Sequence, residues 1–180
     1  MKKFLFYACF LTIFSSAAFG QAKKIESVYT SLSADDCKTI EQTDSGAGYY
    51  RGQCPGVGGY KLELIEGDIR QTINIIAPNK KKYELELWSV VSSAFSATGQ
   101  KAEWRVTKNG KTVTPLALIV RYNASEDSSN PEKNTSRLVV VKITKTAACV
   151  TDVVEASANQ NVKARELADA SAGKPCKSNE

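Results

Sequence analysis

Between Tyr49 and Val154 apolar and polar residues alternate with a period of two, broken at intervals by turn signals. That pattern restricts the stretch to antiparallel strands. Tyr60-Lys61-Leu62-Glu63-Leu64 alternates, Glu66-Gly67-Asp68 provides a turn, and Arg70 to Ile76 returns with Ile73 and Ile75 on one face. After Pro78-Asn79-Lys80, Tyr83-Glu84-Leu85-Glu86-Leu87 alternates strictly, as does Ala102-Glu103-Trp104-Arg105-Val106 before Asn109-Gly110. Asn-Gly between extended runs is a hairpin signal, because both central residues of a type I′ turn need positive φ. Leu116 to Val120 and Leu138 to Val141 are continuous apolar runs, the form taken by strands covered on both faces. With a last strand from Cys149 to Val154 the count is about seven or eight. The fold class is therefore mainly β, either an antiparallel sandwich or a small barrel.

The C-terminal segment changes period. Ala164, Leu167, Ala168 and Ser171 fall at helical spacing, which predicts a helix over about 158–171. Ser157 and Gln160 have the spacing of a capping box, and Gly173 and Pro175 are stop signals.

The other end reads as an address. Lys2 and Lys3 precede an apolar run from Phe4 to Phe14, followed by small residues up to Gly20, the pattern of a cleavable signal peptide over 1–20. Five of the six Phe lie in this segment, which argues against a buried N-terminal helix; only Phe95 lies elsewhere. Cys9 is too early for a lipid-anchor cleavage site, and the apolar run is shorter than the roughly 17–25 residues that span a bilayer. No later stretch is long and apolar enough to do so either, so no transmembrane segment is expected. The expectation is a periplasmic or secreted protein with one β-rich domain over 21–180.

Cleavage leaves Cys37, Cys54, Cys149 and Cys176, an even number in an exported chain, which implies disulfides with three possible connectivities. Closeness in sequence favours Cys37–Cys54 and Cys149–Cys176, each worth about 3–4 kcal/mol in the chain-entropy account. No CxxC spacing and no histidine occur, so neither a metal nor a cofactor is expected.

The absence of histidine closes every mechanism that needs an imidazole base or ligand. Net charge falls from +5 to +3 on cleavage, with 22 basic residues against 19 acids spread along the chain. That is no footprint for nucleic acid. Asp44-Ser45-Gly46-Ala47 has the core of an aspartic protease motif, but no second copy exists and polar residues precede it, so a polar turn is the reading. Gly56, Gly58 and Gly59 fit no phosphate-binding pattern and suit a tight backbone passage near a disulfide. Ser171-Ala172-Gly173-Lys174 has SxxK spacing without partner motifs. Sequons at Asn123 and Asn134 are inert in a bacterial setting. Glu63, Glu84, Glu86 and Glu103 are candidates for a carboxylate pair, although alternation places all four on solvent faces. Trp88, Trp104 and tyrosines 49, 50, 60, 83 and 122 suit a sugar-binding face or, more simply, core and cross-strand packing.

Several stretches together carry a resemblance. They are Cys54-Pro55-Gly56 with Gly59-Tyr60, Trp88-Ser89-Val90-Val91, Lys101 to Val106, Leu118 to Ser125, and Ala148-Cys149-Val150-Thr151-Asp152. The set resembles a family of uncharacterised exported bacterial proteins, across most of the mature chain. The resemblance implies export and no activity. A looser likeness is to periplasmic lysozyme inhibitors, small disulfide-bonded β proteins. Here Ser96-Ala97-Thr98-Gly99-Gln100 precedes Trp104, but the inhibitory loop motif is not reproduced, and a +3 chain is a poor electrostatic match for a basic lysozyme.

Three stretches lack a clear period. Residues 46–59 hold six of the eleven glycines; 88–100 mixes serines with Val90, Val91 and Phe95; 123–136 is polar with three acids and Pro131. Long connections in compact domains are commonly functional or disordered. Val90, Val91 and Phe95 are the expected contact surface of a non-enzymatic binding or interaction module, whose partner is an envelope protein or polymer; the simpler reading of the three, and the favoured one, is a buried short helix or strand. Two alternatives stand beside it: an inhibitor of a cell-wall hydrolase, and a carboxylate-dependent hydrolase.

Overall fold

The computed structural model describes residues 24–178. The expected signal peptide, with Cys9, lies outside the described residues. The described chain runs β1 (Ile25–Ser31), β2 (Lys38–Thr43), β3 (Tyr49–Cys54), β4 (Lys61–Gly67), β5 (Arg70–Ile76), β6 (Lys82–Glu84), α1 (Leu87–Val90), β7 (Ser96–Asn109), β8 (Thr112–Ala124), β9 (Thr135–Ile143), β10 (Ala148–Val154) and α2 (Gln160–Asp169). The strands form one ten-stranded sheet in the order β10-β9-β8-β7-β5-β4-β3-β2, with β1 added to β7 and β6 to β5. The sheet does not close into a barrel. Every ladder is antiparallel except a single parallel bridge between Arg70 of β5 and Ser96 of β7.

That one bridge is where the sheet folds over. Leu62, Leu64, Ile73 and Ile75 from β4 and β5 share one core with Trp104, Leu118, Val120, Tyr122, Val139 and Val141 from β7 to β9. The result is sandwich-like. Alternate residues of β8 and β9, namely Ala117, Ile119, Leu138 and Val140, face outward and are covered by Ala164 and Ala168 of α2. The continuous apolar runs of β8 and β9 thus have a physical cause, since both faces of these strands are buried.

Sequence and structure differ in several places, one being Tyr83 to Leu87, where the expected strand ends at Glu84 and α1 begins at Leu87. Strands β1 and β2 precede the region of clear alternation; β1 sits on β7, pairing Val28 with Trp104, and β2 is an edge strand exposed along its length. The β4–β5 turn is Asp68-Ile69, one residue beyond the expected centre, because Leu64 pairs with Ile73 and Gly67 with Arg70. In the β7–β8 hairpin Asn109 pairs with Thr112, so the turn is Gly110-Lys111 with positive φ at Gly110 alone. That is the position where a type II′ turn wants glycine. The expected capping box at Ser157 does not form: Gln160 instead donates its side-chain amide to the Val154 carbonyl at 2.9 Å. Finally, Glu63 and Glu103 are buried while Glu84 and Glu86 are exposed.

Both buried carboxylates are matched by cations. Lys82 Nζ lies 2.7 Å from Glu63, Asn74 donates to it at 2.9 Å and Arg51 at 3.4 Å. Glu103 accepts from Arg165 of α2 at 2.6 and 3.2 Å and from the Ser27 hydroxyl at 2.5 Å. Burial pushes each carboxyl's pKa up, but the surrounding donors outweigh it and hold both below the usual glutamate value. A bidentate pair, Arg105 to Asp169 at 2.7 Å for both bonds, completes the clamp of α2 on β7.

Two disulfides fasten the ends. Cys37–Cys54 ties the 3-10 turn Ala34–Asp36 to the end of β3, and Cys149–Cys176 ties the segment after α2 to β10. That segment also donates the Lys177 N–H to the Val150 carbonyl at 2.8 Å, and Lys174 Nζ reaches both Asp152 oxygens at 2.8 Å. The edge of β10 is thereby partly covered, one of the ways a sheet edge is protected from pairing with other chains. Gly58, at φ 62°, passes so close to β8 that a Cβ would stand 2.5 Å from the Val113 carbonyl oxygen. Disulfides of this kind belong to chains in oxidising, extracytoplasmic compartments. Among the described residues no helix is long and apolar enough to cross a membrane.

Candidate functional site

At the end of the sandwich where β5 meets β7, the backbone is under strain. Both turn residues of the β4–β5 hairpin have positive φ, 50° at Asp68 and 57° at Ile69. Aspartate tolerates that region; a β-branched isoleucine does so at a cost of about 1–2 kcal/mol. Ile69 gains no burial in return, being 62% exposed. Such strain persists where the surroundings fix it, and it collects at functional sites.

The surroundings do fix it. The Ile69 carbonyl accepts the Ser96 N–H at 3.0 Å. Arg70 donates from Nε to the Ser93 carbonyl at 2.8 Å and from Nη1 to the Asp68 carbonyl at 3.1 Å, and it also pairs with the Asp68 carboxylate. Its guanidinium lies 4.8 Å from the centroid of the Phe95 ring. Phe95 is 48% exposed, yet it is held at both ends, by Arg70 under the ring and by its own carbonyl, which accepts the Ser125 N–H at 2.9 Å. The outcome is an exposed aromatic ring with a fixed support.

Beside the ring lies a groove of about 620 Å³ whose walls include Ile69, Phe95, Pro131, Glu66, Asn123 and Asn134. Gln71 also lines it, donating to Glu66 at 2.6 Å and accepting from the Thr98 N–H at 2.9 Å. The β8–β9 connection also contributes to the lining, and there the Ser125 hydroxyl donates to the Pro131 carbonyl at 2.5 Å.

The three residues expected to share a contact surface are separated. Val90, at the end of α1, and Val91 are half-buried against the core, whereas Phe95 faces the groove. The stretch 88–100 is not one loop: α1 occupies its start and β7 begins at Ser96. Ser96 to Gln100 accordingly lies within a strand. Asp44 to Ala47 is the turn between β2 and β3. Trp104 and Tyr122 are fully buried, and Tyr50, Tyr60 and Tyr83 pack on the core. Glu63 and Glu103, the buried members of the carboxylate candidates, are engaged by Lys82 and Arg165 as described above.

Ile69 was not among the expected site residues. The register held the signal: pairing the inward-facing Leu64 with Ile73 places the turn midpoint between Asp68 and Ile69, where a glycine is wanted.

No family model, curated protein or solved structure matches this chain. The resemblance to exported bacterial proteins therefore rests on the quoted motifs alone.

Proposed function

We propose that this protein is a non-enzymatic binding module of the cell envelope, periplasmic or secreted, which holds a protein or polymer against the Ile69–Phe95 end of its sandwich. One observation carries the reading: a strained, exposed isoleucine whose carbonyl is held by Ser96 and a half-exposed phenylalanine whose ring is supported by Arg70 line the same groove. Rigid aromatic and aliphatic groups presented on a stiff scaffold bind with little ordering cost. The N-terminal basic–apolar–small pattern and the two disulfides support the compartment.

The test is affinity capture from the envelope fraction of the source cell with the mature chain, repeated with Phe95→Ser. A partner held by the native chain and released by the variant is the expected result. Equal capture by both removes this surface from the reading. Turnover of a cell-wall or peptide substrate, lost on replacing one carboxylate, would overturn the non-enzymatic assignment.

A further inference from the structure

Resting on the contact surface just proposed, we infer that the groove accepts a basic polypeptide segment carrying one apolar anchor residue. The chain as a whole has an excess of basic residues, but this end of it has the opposite sign. Five carboxylates, Glu66, Asp68, Glu126, Asp127 and Glu132, stand around the groove and on the β8–β9 connection, against three cations. Each cation is already engaged. Arg70 is held by Asp68, Arg137 by Glu126 in a bidentate pair at 2.7 and 2.9 Å, and Lys133 lies 3.7 Å from Asp127.

Two of these five carboxylates, Glu66 and Glu132, have no ion pair among the described residues. Glu66 lines one wall of the groove. Glu132 is exposed on the β8–β9 connection, next in sequence to Pro131, which also lines the groove. Ile69, Phe95 and Pro131 supply apolar side chains to the same lining as Glu66, and no lysine or arginine lines the groove. The Glu66 carboxylate is fixed by the Gln71 amide, so its charge is held at the groove. An apolar lining with one unpaired carboxylate in it and a second on the adjoining connection complements a segment whose hydrophobic residue has lysine or arginine beside it. An acidic segment would meet repulsion from Glu66 and from the acidic connection, and a neutral glycan would leave the Glu66 charge unanswered.

The experiment is selection from a library of displayed peptides about nine residues long on the mature chain, at about 0.05 M and about 0.5 M salt. The expected winners carry Lys or Arg beside one apolar residue. Their recovery falls about ten-fold at the higher salt and by a similar factor on Glu66→Gln/Glu132→Gln, and is lost on Phe95→Ser. Circular dichroism confirms that each variant is folded. Winners without a basic excess that still depend on Phe95 overturn the basic class and leave the contact surface standing. Winners indifferent to Phe95→Ser overturn both. No enrichment at either salt overturns the inference as well.

Discussion

Arg165, near the middle of α2, reaches Glu103 of β7 at 2.6 Å, across 62 residues of sequence. The helix is thus attached to the sheet by charge as well as by Ala164 and Ala168. The attachment has a pH signature. Glu103, Glu63 and Glu126 all have carboxyl pKa values held below the ordinary one. A depressed folded-state value means stability that is present above the unfolded value, about 4.3, and is lost as pH falls through the folded value. With no histidine to titrate, urea midpoints are expected to stay level from pH 6 to 8 and to drop below about pH 4. A midpoint that shifts between pH 6 and 8, or holds at acid pH, contradicts this.

Replacing Asp169 by Asn is expected to cost about 2–3 kcal/mol, because the Arg105 guanidinium, 10% exposed, is left buried without its carboxylate. Adding Arg105→Met and changing position 169 to Leu should recover most of the loss, since a buried pair replaced as a unit is often near neutral. Equilibrium urea unfolding of the three chains measures both effects.

Ile69→Gly is expected to stabilise the protein by about 0.5–1 kcal/mol, by relieving the positive φ at a turn where glycine fits. The same change should weaken capture at the groove. Thermal unfolding and binding read in parallel check the pair of outcomes, and a variant less stable than the native chain refutes the strain argument.

Stepwise reduction should open Cys149–Cys176 before Cys37–Cys54. Cys176 is exposed, whereas Cys54, the last residue of β3, is 1% exposed. Access governs thiol–disulfide exchange. Alkylation and peptide mapping at increasing reductant give the order, and removal of either bridge is expected to cost about 2–4 kcal/mol.

The legible and illegible parts of this fold have distinct causes. Strands β8 and β9 are legible because burial on both faces leaves an unbroken apolar run. Helix α2 is legible because Ala164, Leu167, Ala168 and Ser171 repeat at the helical period, and three of these are buried with the fourth packed beside them. Strand β2 is illegible because an exposed edge strand buries no side chain and so has no alternation to read. Glu103 misleads for another reason. Its alternation correctly points it away from the core, but the solvent it should face is displaced by a helix that lies far along the chain. At the groove, Phe95 is conspicuous as an isolated aromatic, whereas the importance of Ile69 depends on a φ value that composition does not encode.

The pairing of β1 with β7 has a bearing on how the chain acquires its fold. Val28 lies against Trp104, so the first described strand has no partner until a segment 76 residues away is in place. Between them β2 to β5 form a meander of neighbouring strands, closed early by short loops and the local Cys37–Cys54 bridge. Contacts of large sequence separation are slow to form, and an unpaired strand edge invites association with other chains while it waits. A chain delivered N-terminus first into an oxidising compartment would therefore hold Ile25 to Ser31 free until β7 arrives. That interval, rather than the finished sandwich, is when this protein has most need of a folding chaperone.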